Sequence, residues 1–117
     1  MNINKHFAVV LLLLSSVFSY GQAAQRLNTA TVMGGGGYQV VIPNAQVYVC
    51  VYNSQNLCTT SIPVYSDVNL LHVVTQPVTA TAQGVYNYFI QSGTQVVEKV
   101  CITQYQCQSN AVLIGNT

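Results

Sequence analysis

The chain has 117 residues, half of them hydrophobic, with only 4% charged and a formal net charge of +1. That charge content excludes a grip on nucleic-acid phosphates, which takes several Lys or Arg contacts, and it excludes a basic membrane-surface patch. The length suits one small domain, which buries only about 60–65% of its extended-chain surface, so its modest core gains from covalent staples.

At the start, Lys5 and His6 precede the apolar run Phe7 to Leu14, followed by small and polar residues through Gly21 and Ala23. A short positive region, an apolar stretch and small residues before a cut predict a signal peptide over residues 1–23. The apolar stretch is short for a bilayer span, so no membrane insertion is expected after cleavage. From residue 24 onward the full charges are Arg26, Lys99, Asp67 and Glu98, and His72 is the one imidazole.

Residues 24–37 read as a flexible N-terminal arm with a glycine hinge. Ala24 to Met33 is small and polar, with Leu27, Val32 and Met33 as its sizeable apolar residues, and Gly34 to Gly37 follow. Glycines without side chains to pack are costly to order. A phosphate-cradling loop would need a strand before the glycines and a helix after them, whereas Tyr38 to Ile42 is strand-like.

Residues 38–117 then read as one β-sandwich domain. Ala45 to Tyr52 alternates Val47, Val49 and Val51 against Tyr48, Cys50 and Tyr52. Val85 to Ile90 and Val96 to Ile102 are also rich in β-branched and aromatic residues. Turn residues separate these runs at Pro43-Asn44, Asn53-Ser54, Ser66-Asp67, Gln83-Gly84 and Ser92-Gly93. Asp67 to Val74 could hold a short helical turn; no segment sustains a 3.6-residue period. The expected class is all-β, a small antiparallel sandwich.

Four cysteines, Cys50, Cys58, Cys101 and Cys107, favour disulfides in an exported chain. Cys50 with Cys58 would centre a hairpin on Ser54, and Cys101 with Cys107 another on Gln104. Opposed residues at a non-hydrogen-bonded site lie about 4.5 Å apart, within disulfide range. The two other connectivities remain open on sequence alone. Zinc would want closer Cys pairs and more His, so no metal or other cofactor is expected.

Little here points to catalysis. Ser66, Asp67 and His72 could be written down as a triad, but a lone His beside a turn is ordinarily a surface or capping residue. A carboxylate pair could be only Asp67 and Glu98, and Glu98 beside Lys99 in a strand reads as a solvated or cross-strand charge. The protein is therefore expected not to be an enzyme. Tyr86 and Tyr88 share one strand face, and Tyr48 and Tyr52 another. They serve either as core packing or as an aromatic strip for a glycan or protein, which makes Tyr86 and Tyr88 the candidate binding residues.

From Ile42 the order of segments resembles a known pattern. Ile42-Pro43-Asn44-Ala45-Gln46-Val47-Tyr48-Val49 leads to Val64-Tyr65-Ser66-Asp67 and Gln76-Pro77-Val78-Thr79-Ala80. Gly84-Val85-Tyr86-Asn87-Tyr88-Phe89-Ile90 and Ser92-Gly93-Thr94 follow. This is similar to the carboxypeptidase-regulatory-like or prealbumin-like (transthyretin-like) β-sandwich modules of phage virion and bacterial surface proteins. The resemblance implies a central strand after Gly84, a crossover around Pro77, and a structural or binding role. The cysteine pairs lie outside that pattern, and Gln95-Val96 replaces the Tyr expected after the Gly93 turn.

The sequence thus predicts a secreted or cell-surface (periplasmic or extracellular), non-catalytic structural or adhesive subunit. It would assemble through sheet edges, with the arm available as a donated strand to a second copy or another extracellular protein. The alternative is a monomeric extracellular binding module for a glycan or protein. Nucleic acid is not an expected partner.

Overall fold

The computed structural model describes residues 22–33, 35–103 and 106–115. The segment expected to act as a signal peptide lies outside them, except for Gln22 and Ala23. Among the described residues there are eight strands: β1 (Ala23–Thr29), β2 (Thr31–Met33), β3 (Gln39–Val41), β4 (Gln46–Val51), β5 (Val78–Thr79), β6 (Val85–Gln91), β7 (Gln95–Thr103) and β8 (Gln106–Leu113). Every pairing between them is antiparallel.

Two layers make the sandwich. One is the β1–β6 pair, extended beyond β6 by bridges from Phe89 to Tyr65 and from Tyr65 to Val73. The other runs β5-β4-β7-β8. Side chains alternate across each strand, so every second residue faces inward. In β6 these are Tyr86, Tyr88 and Ile90; opposite them stand Val47 and Val49 of β4 and Val96 of β7. Val64 and Ile114 belong to the same core.

The second layer also buries part of its outer face. Cys50 and Val97 are register partners there, each at most 1% exposed. Cys50 is bonded to Cys58, which draws the loop after β4 across that face. Asn53 shapes the loop: its side-chain oxygen accepts from the N–H groups of Gln55 and Leu57, and its amide nitrogen donates to the Leu57 carbonyl.

Both expected disulfides form, with Cα separations of 5.2 Å for Cys50–Cys58 and 4.0 Å for Cys101–Cys107. Cys101 and Cys107 are directly opposed on β7 and β8. The first pair differs from the expected hairpin geometry. On the edge of β4 away from β7 the residue opposed to Cys50 is Ser61, and Cys58 reaches back from the loop. Opposed cysteines are sufficient for a bridge but not required, because side-chain reach also admits a loop partner.

The arm is a further correction. Ala23–Thr29 is an ordered strand paired with β6 over seven residues, from Ala23↔Gln91 to Thr29↔Val85. The sandwich therefore begins before residue 38. Gly35–Gly37 is likewise not a slack linker; it is an ordered 3-10 turn closing the β2–β3 hairpin, with Gly36 at φ 80° and Gly37 at φ 88°. The junction falls instead at Ala30, 1% exposed, whose N–H donates to the Gly84 carbonyl and whose carbonyl accepts from Ile42. Asp67 to Val74 holds turns rather than a helical turn, with Leu70 at φ 57°.

One polar side chain completes the sheet where strand pairing lapses. The Gln76 amide accepts from the Val49 N–H at 2.8 Å and donates to the Ile62 carbonyl at 2.8 Å. It stands in for a peptide group between β4 and the segment around Ile62, so neither backbone group is left unpaired inside.

Candidate functional site

The most distinctive chemistry in the chain lies between the two layers, beneath β1. Glu98 is on the inward face of β7, and only 3% of it is exposed. Its neighbour Lys99 faces out, with the ammonium 5.4 Å from the Tyr48 ring centroid. An isolated carboxylate in such a place would be very costly, so it must be paired and hydrogen-bonded.

Four donors meet it. Arg26 donates from Nε to Oε2 and from Nη2 to Oε1, each at 3.0 Å, in the bidentate fork geometry that guanidinium offers a carboxylate. The Tyr86 hydroxyl donates to Oε1 at 2.7 Å, and the Tyr88 hydroxyl to Oε2 at 2.5 Å. Asn28 then donates to the Tyr86 hydroxyl at 3.2 Å. Among the described residues no buried side-chain nitrogen or oxygen lacks a partner.

Strand geometry explains why these residues meet. Arg26 and Asn28 lie two apart on β1 and register against Tyr88 and Tyr86, also two apart on β6. All four therefore point to one face, toward Glu98 on the opposing layer.

The cluster reshapes its own proton affinities. Burial opposes the Arg26 charge, but the hydrogen bonds and attraction of Glu98 outweigh it and push the guanidinium up. Burial, then the Glu98 charge, pushes the Tyr86 hydroxyl up to about 12. The same two causes raise Tyr88 as well. With both Glu98 oxygens taken up by four donors, the group clamps β1 to the opposite sheet.

Tyr86 and Tyr88, the candidate binding residues, need correcting on this point. They are 2% and 0% exposed, so neither ring face is open to a glycan or a protein. Their phenols turn inward because Glu98 needs donors. Glu98 itself is a buried acceptor rather than a solvated charge. Arg26 and Asn28 were missed as partners because they lie 72 residues from Glu98 and 58 from Tyr86.

Ser66, Asp67 and His72 do come together, but as a loop brace. The Asp67 carboxylate accepts from the backbone N–H groups of Leu71 and His72, and the His72 ring stands 3.4 Å away, 75% exposed. Slight desolvation works against the Asp67 charge, while those backbone donors hold its carboxyl below the usual range. The Ser66 hydroxyl turns to the His72 carbonyl, not to its imidazole. Among the described residues no group of three or more His, Cys, Asp or Glu is placed to hold a metal.

Beside the clamp the sandwich has an open side between β1–β2 and β7–β8. A hollow of about 100 Å³ lies against Arg26, Asn28, Glu98 and Asn110. It continues past Thr31 and Val100 into a cleft of about 370 Å³ walled by Val32, Met33, Ile42 and Ile102.

Fold and site together define a disulfide-stapled antiparallel β-sandwich whose N-terminal edge strand is held by a buried ion pair. No protein-family model, curated protein or solved structure matches the chain.

Proposed function

We propose that this chain is an exported, non-catalytic structural or adhesive subunit that assembles through its sheet edges. The observation that carries this reading is the state of the two edges flanking the open side. β1 and β8, seven and eight residues long, end their sheets there, and β8 carries no Lys, no Pro and no acid. Edges left without such guards are templates for another strand. Exposed Tyr38, Met33 and Val40 on the β2–β3 hairpin add apolar surface for contact. The two disulfides are consistent with an oxidising compartment.

Light scattering of the oxidised protein across a concentration series tests the reading. Multimers are expected, and Ala111→Lys with Leu113→Lys, on the outer face of β8, should disperse them. A wild-type mass that stays monomeric at every concentration would sink the proposal. It would favour the alternative, a monomeric binding module for a glycan or protein, whose ligand would then meet the cleft beside β2 rather than Tyr86 or Tyr88.

A further inference from the structure

We propose that the segment Gln22–Met33 is exchanged between two copies of this chain, so that β1 of each copy lies on β6 of the other and its Arg26 enters the other's Glu98 site. This rests on the assembly reading above and names its partner as a second copy.

The contacts of β1 form a separable unit. It is held by the seven-residue ladder to β6, by the Arg26 fork on Glu98 and by Asn28 on Tyr86. Each of these partner groups, donor or acceptor, lies beyond the glycine turn in sequence, so every one can be supplied unchanged by another copy. The same holds for β2, which among the described residues pairs only with β3.

The site also selects its strand. A slip of one residue would turn Arg26 to the outer face and leave Glu98 without its cation, and a slip of two would carry the guanidinium nearly 7 Å along the strand. Arg26 is the one arginine in the chain, and Glu98 the one buried acid among the described residues. A neutral groove would accept a Gln-, Asn- and Thr-rich strand in several registers; this one accepts β1 in one.

Opening the unit needs a joint that sacrifices little, and the glycine run provides it. A side chain at Gly37 would meet nothing within 4 Å, so the turn is not wedged against the body. Glycine reaches extended backbone as readily as the positive φ of the closed turn. Closed and exchanged forms share the same contacts, so concentration decides between them. A short tether gives an effective concentration on the order of millimolar, which refolding in crowded conditions must approach.

The test places one cysteine on each side of the ladder. Leu27 and Asn87 are register partners, both exposed, at a spacing that a disulfide accepts. The full chain carrying Leu27→Cys and Asn87→Cys is refolded dilute and concentrated with its native disulfides intact. It is then oxidised and run on a non-reducing gel beside light scattering. A covalent dimer of twice the mass, growing with refolding concentration, is the expected result. Cross-linked monomer at every concentration overturns the exchange. If multimers form while the cross-link stays within the chain, exchange fails and edge assembly stands. If no multimers form either, both fall.

Discussion

Replacing Glu98 with Gln removes one charge while keeping the shape of the side chain, and its cost follows from the four donors around it. The amide offers one oxygen and one NH₂ in place of two acceptor oxygens. If the NH₂ takes the Oε1 position, it faces Arg26 Nη2, donor against donor, and the Tyr86 hydroxyl loses its acceptor. If it takes the Oε2 position, Arg26 Nε and Tyr88 meet the same conflict. Either way at least one charge-assisted bond is lost, worth about 1.5–3 kcal/mol, and the surviving bonds lose their ionic partner. Removing one member of a buried pair typically costs about 3–5 kcal/mol, a large share of the roughly 5–15 kcal/mol available to a small domain. Urea unfolding with the disulfides intact, followed by circular dichroism and tyrosine fluorescence, should show the midpoint falling by more than about 1 M. A double-mutant cycle with Arg26→Leu should show coupling above about 1 kcal/mol, since the two changes remove one shared contact. A Glu98→Gln variant within about 1 kcal/mol of wild type would refute the reasoning, because Glu98 could not then be the anchor of β1.

Alkali should attack the same cluster. Tyr86 binds its proton more tightly folded, near 12, than at its ordinary value of 10.0, so its contribution is complete below pH 10 and is lost as pH rises through about 12. Above pH 10 that difference costs about 1.4 kcal/mol per pH unit for each such tyrosine, so tyrosinate absorbance of Tyr86 and Tyr88 should appear together with loss of β-sheet signal. Ionisation of all tyrosines near pH 10 without unfolding would contradict this. Gln76→Ala should cost about 1–3 kcal/mol by orphaning the Val49 N–H and the Ile62 carbonyl, seen as a lower melting temperature and faster amide exchange at Val49. Gly84→Ala should also destabilise: the added Cβ would stand 2.6 Å from Val41 Cγ1 at a φ of +80°, and calorimetry should register it while a change at open Gly37 has less to clash with.

The strands that could be read in advance are those whose stability is written locally. β4, β6 and β7 carry dense Val, Tyr and Ile at period two, and the turns at Ser92-Gly93 and Gln83-Gly84 separate them. β1 and β8 carry Ala, Gln, Asn and Ser, and they become strands because neighbours give them a ladder and, for β1, an ion pair. The disulfide pairing was legible because it depends on short sequence separation. The clamp was not, because a single Arg and a single Glu carry no spacing signal until β1 is laid on β6. Tyr86 and Tyr88 at i, i+2 did signal a shared face, but not which side of it held the acceptor.

The fate of the four charges from residue 24 onward has a consequence for behaviour in different waters. Arg26 and Glu98 cancel inside, Lys99 leans over Tyr48, and Asp67 is turned toward its own loop. Dissolved ions act on exposed charges, and this exterior presents almost none. Outside the buried Arg26–Glu98 pair, the proposed assembly would rest on dispersion forces and neutral hydrogen bonds, so it should hold as firmly in brine as in rain.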